Sequence, residues 1–167
     1  AWNMASRGRR VGFFSLETSA RKLADRVVAQ RARVELSRIK HKELTEHDVG
    51  DVAAIGAATG RMCFGVTEAA GFGVADLRAV TLANRYDVIF IDYVQLLKAE
   101  GRERWEIVTR ISMELHTMAQ QLGVAVIALS QLTPPDKTKG ARRAPSRDDL
   151  RESRQLKQDA DVILLMS

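Results

Sequence analysis

Three short runs restrict what this chain can fold into. Residues 11–16 (VGFFSL), 88–91 (VIFI) and 124–129 (VAVIAL) are apolar at almost every position and rich in β-branched or aromatic side chains. A strand with one wet face alternates apolar and polar residues, whereas an unbroken run is buried on both faces. Strands of that kind belong to a parallel sheet covered by helices, because parallel neighbours are joined by long crossovers. The expected fold class is therefore α/β, with a parallel-sheet core and flanking helices.

The intervening stretches read as the crossovers. Residues 1–6 resemble the tail of a helix that Gly8 ends. Thr18 or Ser19 can cap a helix over 20–34, with Leu23, Val27 and Val28 on one face, and 36–40 reads as a short helical turn. Thr45 followed by Asp48 is a variant of the capping box and predicts a helix over 45–59, closed by Gly60. A shorter strand is expected over 62–67, with Gly71 and Gly73 marking the turn into a helix over 74–85. Ile107, Val108, Ile111, Leu115, Met118 and Leu122 recur at helical spacing over 105–122, and Gly123 stops that helix. A final strand is expected over 162–166. No repeat or second composition regime interrupts the 167 residues, which are expected to form a single domain. The chain starts on a helix tail and stops on a strand without a closing helix, so both ends look cut.

Composition excludes some classes. No apolar run approaches the ~18 residues of a membrane span, and AWNMASRGRR lacks the apolar centre of a signal peptide. Cys63 is the only cysteine, so no disulfide can form within one chain, which fits an intracellular address; packing is its expected role. The net charge of +5 and pI near 9.7 suit a polyanionic partner. Arg7, Arg9 and Arg10 read as solvated surface. Lys137, Lys139, Arg142, Arg143 and Arg147 crowd an aperiodic loop over 133–147, read as facing DNA or a neighbouring subunit and ordering on binding.

The polar residues that follow the strands carry the chemistry. Asp92 comes directly after one run, at the end of a strand where ligands of open α/β sheets bind. It can hold Mg²⁺ through water beside a nucleotide's phosphates, or cap a loop; the run alone leaves both open. Glu17 ends the first run and can orient or deprotonate a water. Ser130 and Gln131 follow the third, and Gln131, neutral with both a donor and an acceptor, can sense a γ-phosphate or pass its state onward.

The order SLE, IDYVQLL, ALSQL and DDLRESRQLKQDAD, spanning essentially the whole chain, resembles the helicase domain of hexameric replicative helicases of the DnaB type, a RecA-like ATPase fold. The resemblance implies ATP and Mg²⁺ as cofactors. It implies single-stranded DNA as partner, a homo-hexameric parent with no membrane association, and a cytoplasmic replisome of bacterial or phage origin. It makes Glu17 the catalytic glutamate, Asp92 the metal-holding Walker B aspartate, and Gln131 the glutamine that contacts the γ-phosphate and couples it to DNA. Arg151 and Glu152 match a channel-facing loop that grips the single strand, Arg151 on phosphate and Glu152 positioning its neighbours.

Two departures stand out. Arg154 replaces the family's glycine after RES, where it either obstructs the approach of DNA or adds a phosphate contact. No GxxxxGK[ST] occurs in the chain, so the loop that cradles the phosphates is missing. The family's arginine finger would lie beyond Ser167. The chain is therefore expected to be a fragment of a helicase motor, inactive toward ATP by itself. Two alternatives remain: a non-hydrolysing RecA-like relative that binds nucleic acid or assembles with an intact partner, and another RecA-like ATPase of the recombination or clock type. His41, His47 and His116 show no ligand spacing and read as surface or satisfied residues. Trp2 and Trp105 read as packing, since single-strand binders cluster their aromatics.

Overall fold

The computed structural model describes residues 1–132 and 154–166. The elements run α1 (Trp2–Ala5), β1 (Val11–Ser15), α2 (Ala20–Ala32), α3 (Leu36–His41), α4 (Glu46–Gly60), β2 (Phe64–Glu68), α5 (Val74–Asn84), β3 (Val88–Asp92), a 3₁₀ turn (Val94–Leu96), α6 (Arg104–Leu122), β4 (Ala125–Ala128) and α7 (Arg154–Asp159). The four strands form one sheet in the order β2-β1-β3-β4, and every pairing is parallel. The expected fold class holds.

The strand order sets up everything that follows. From β1 the chain crosses to β2 on one side, then returns to lay β3 on the other side of β1. Parallel crossovers are right-handed, so this reversal puts α2–α4 and α5–α6 on opposite faces. The side chains agree. Val11, Phe13, Phe64, Val66 and Phe90 share the α2 face, with Phe13 and Phe90 stacked at 6.2 Å and a small apolar pocket left beneath Val27 and Val28. Phe14, Ile89 and Ile91 point the other way and pack with Leu77 of α5 and Ile111, Leu115 and Met118 of α6. Burying each of these side chains contributes about 1.5–3 kcal/mol, so this second face holds most of the core.

One gap on that face is filled unusually. Gly12 and Gly65 are register partners in β1 and β2, and neither offers a side chain. The ring of Tyr86 lies across both: a Cβ built on Gly12 would meet Tyr86 Cδ2 and Cε2 at 2.6 Å, and one on Gly65 would collide with the Tyr86 hydroxyl. Burial pushes the Tyr86 phenol above its ordinary pKa.

The helix ends follow the sequence, with some substitutions of means. Thr45 and Asp48 form the expected capping box: Asp48 N–H donates to Thr45 Oγ1 at 3.3 Å, and Thr45 N–H donates to Asp48 Oδ2 at 2.8 Å. Ser19 occupies the N-cap of α2 without a side-chain bond; Ala20 N–H donates instead to Glu68 Oε1 at 2.8 Å, from the end of β2. Arg33, Lys42 and Arg85 end α2, α3 and α5 in the left-handed region, at φ 56°, 61° and 51°. Glycine is the usual residue there, but a cation at a helix C-terminus meets a favourable dipole.

Three expectations need correction. Residues 162–166 are not a strand; Val162, Leu164 and Met166 are 75%, 86% and 82% exposed. A strand exists only by pairing, and among the described residues this run pairs with none, while the outer edge of β4 stays open. Cys63, one residue before β2, and Trp105, in the first turn of α6, are exposed rather than packed. Trp2 does pack, edge-on to Phe64 at 6.4 Å with the Arg31 guanidinium 5.5 Å from its centroid. His41 and His47 are exposed and His116 meets the Asp159 carbonyl at 3.2 Å, as expected. No helix among the described residues is long and apolar enough to cross a membrane.

Candidate nucleotide edge of the sheet

In an open parallel sheet the loops leaving two adjacent strands part company where the strand order reverses, opening a crevice at their carboxyl ends. Here the reversal lies between β1 and β3. The two residues singled out as carboxylates stand on its two sides. Ser15 pairs with Asp92 in register, and the ladder runs one step further, with Leu16 N–H donating to Asp92 C=O at 2.9 Å. Glu17 follows immediately and is exposed, while Asp92 is half-buried. Among the described residues neither carboxylate takes part in a hydrogen bond or ion pair.

The turn that presents Glu17 is fixed from within. Ser15 is only 2% exposed. Its Oγ donates to Thr18 C=O at 2.6 Å and accepts from Thr18 N–H at 3.2 Å, spanning Glu17. Glu68, from the neighbouring strand end, holds the first turn of α2 behind it. Neither residue was marked by its sequence context: a serine in SLE and a glutamate at the end of β2 gain these roles only when the sheet forms.

The same edge brings in Ser130 and Gln131. Leu129 N–H donates to Ile91 C=O and Val94 N–H donates to Leu129 C=O, both at 2.9 Å, so the chain leaving β4 is laced to the chain leaving β3. Gln95 continues the lacing with its side chain. Its Nε2 donates to Ser130 Oγ at 2.8 Å and to Gln131 C=O at 3.1 Å, and its Oε1 accepts from Gln131 N–H at 3.3 Å. Gln131 is exposed, and its own side-chain amide makes no bond among the described residues. The peptide between Asp92 and Tyr93 is cis.

Glu17, Asp92, Ser130 and Gln131 therefore share one edge of one sheet. Arg151 and Glu152 lie outside the described residues, as does the basic stretch 133–147, and Arg154 opens α7. That helix is clasped to α6 through Asp159, whose Oδ2 accepts from Ser112 Oγ at 2.6 Å, while within α7 Gln155 Nε2 donates to Asp159 Oδ1 at 2.8 Å.

The donors at the edge suit a hard cation. Asp92 and Glu17 offer carboxylate oxygens, and among the described residues no three His, Cys, Asp or Glu side chains converge into a closed metal cage. Mg²⁺ takes one or two protein carboxylates and completes its shell with water and substrate phosphates, which this set fits. A groove of about 960 Å³ between α5 and α6, lined by Arg78, Trp105 and Met113 among others, includes none of the four edge residues.

Comparison with known proteins adds an independent line. The family model described as the DnaB-like helicase C-terminal domain matches residues 1–167. A probable plasmid replicative DNA helicase of Chlamydia trachomatis is 32% identical over 164 residues, covering 95% of this chain and 36% of that protein. The replicative DNA helicase DnaC of Bacillus subtilis is 31% identical over 163 residues, covering 93% of this chain and 36% of its own length. The chain thus spans little more than a third of these relatives. A solved structure of a DnaB-like replicative helicase, described with its interactions with primase, superposes with a TM-score of 0.87 at 29% identity, over 95% of this chain and 40% of that one.

Proposed function

The chain belongs to the family of DnaB-like helicase C-terminal domains, with a RecA-like ATPase fold, and on that footing we propose that it is part of an ATP-dependent replicative DNA helicase motor. The observation that carries the proposal is the placement of Glu17 and Asp92 on either side of the β1/β3 switch point, tied by the Leu16–Asp92 backbone bond. Residues 1–167 act as one piece of a RecA-like domain.

The roles follow from position and chemistry. Glu17, exposed on a turn that Ser15 makes rigid, aims the attacking water and accepts its proton. Asp92 holds Mg²⁺ through water; the ion, when bound, neutralises charge developing on the phosphates. Gln131 offers its exposed amide to the γ-phosphate and changes partners when that phosphate leaves. Arg151 pairs with a phosphate of single-stranded DNA, Glu152 positions its neighbours, and Arg154 either obstructs the approach of DNA or adds a phosphate contact. Translocation, duplex unwinding, hexamer formation and a cytoplasmic replisome belong to the full-length gene product. So does turnover, since the phosphate-cradling GxxxxGK[ST] is not among these residues.

A second reading, a non-hydrolysing relative that binds nucleic acid, draws on that same missing motif. One experiment separates the two. Phosphate release by the full-length gene product is followed against Mg²⁺, with and without single-stranded DNA. The motor reading expects Mg²⁺-dependent release stimulated by DNA and reduced to background by Asp92→Asn. Wild-type release in Asp92→Asn would overturn the metal role, and absence of release with DNA binding retained would favour the second reading.

A further inference from the structure

The side chain of Gln95 does something for Gln131 that a strand does for its neighbour. Within β3 and β4 the backbones pair directly, and the lacing continues through Ile91, Leu129 and Val94. Past that point β3 has turned away into the 3₁₀ turn Val94–Leu96, leaving the backbone of Gln131 without a partner strand. Gln95, the middle residue of that turn, supplies one. Its Oε1 takes the Gln131 N–H and its Nε2 gives to the Gln131 C=O, the two-way exchange of a strand pair, and Nε2 also holds Ser130 Oγ. The backbone of Gln131 is thereby fixed, while its own side-chain amide makes no bond among the described residues. A primary amide is the only side chain that combines donor and acceptor at this spacing; a carboxylate lacks the donor and a hydroxyl the second arm.

We propose that Gln95 is a positioning residue that locks the Gln131 segment to the Asp92 segment, so the metal side and the γ-phosphate side of the edge move as one body. The inference rests on the reading of Gln131 as the phosphate-contacting group. Gln95 lies three residues after Asp92, in the 3₁₀ turn that follows β3, so a displacement of either end reaches the other through two backbone bonds and one side chain. Whatever Gln131 senses is then conveyed as a shift of a rigid unit. Without Gln95, Gln131 would still be present but aimed loosely.

The test compares Gln95→Met and Gln131→Ala in the full-length gene product. Met keeps the length and packing of Gln and removes every polar contact. For Gln95→Met the expected result is a kcat lower by about tenfold or more, as for a misplaced reacting group. KM for ATP stays within about twofold, since binding contacts remain, and DNA stimulation of turnover is largely lost. Gln131→Ala should show the same pattern. Wild-type turnover and DNA response in Gln95→Met, with Gln131→Ala impaired, would overturn the inference and leave the site reading standing. An unimpaired Gln131→Ala would overturn the site reading itself. Lower thermal stability with an unchanged ratio of stimulated to unstimulated turnover would reduce Gln95 to a structural residue and also overturn the inference. If Gln95→Met does not fold, Gln95→Glu, which keeps the acceptor and loses the donor, carries the same comparison.

Discussion

The Tyr86 ring over Gly12 and Gly65 makes a sharp prediction about Gly12→Ala. The added Cβ would sit 2.6 Å from two ring carbons. Carbon atoms rest at about 3.5–4.0 Å, so the ring must retreat by about 1 Å. It has nowhere easy to go: its hydroxyl end already covers Gly65, and its other side meets the α5/α6 core. Overpacking of this kind costs about 1–3 kcal/mol. In a domain of this size that lowers the melting temperature by about 2–12 °C. Thermal unfolding followed by tryptophan fluorescence measures it directly. The decisive arm is Gly12→Ala in a Tyr86→Ala background, where the cost should fall to near zero and the two substitutions should be non-additive. Equal destabilisation with and without the ring would refute the steric account and point to the backbone of β1 instead.

Two further outcomes follow from the helix ends and from charge. Lys42→Gly should stabilise the protein by about 0.5–1 kcal/mol, because the φ of 61° that strains a side chain suits glycine; a loss in thermal unfolding would mean the cation at the end of α3 outweighs the strain. The backbone N–H of Thr45, its hydroxyl and the Arg38 guanidinium hold the Asp48 carboxyl below its ordinary value. A lowered pKa contributes stability that is present above the unfolded value near 3.8 and is lost as pH falls through the folded value. Asp48→Asn should therefore differ most from the parent near neutrality and converge with it in acid; a constant gap across that range would contradict the sign.

What could be read from the sequence was whatever depends on neighbours along the chain. Apolar runs announced β1, β3 and β4, periodicity announced α6, and the Thr45–Asp48 spacing announced a real capping box. Glu17, Asp92 and Gln131 were visible as candidates because each stands within two residues of the end of an apolar run, and strand ends are where such folds do chemistry. Their supports were hidden for a physical reason. Gln95 meets Gln131 across 36 residues and Ala20 meets Glu68 across 48, contacts that only the strand order creates. Tyr86 covers two glycines on different strands for the same reason. The error over 162–166 has the converse cause: composition proposes a strand, but only a partner makes one.

The central claim is that Glu17 activates water at a nucleotide held along this edge. The most direct measurement is Glu17→Gln in the full-length gene product, reading nucleotide affinity and phosphate release on the same sample. The substitution keeps the shape and removes the base, so affinity for ATP should stay within about twofold while release falls by about 100-fold or more. Release at the wild-type rate, with affinity intact, would contradict the claim and move the catalytic base elsewhere.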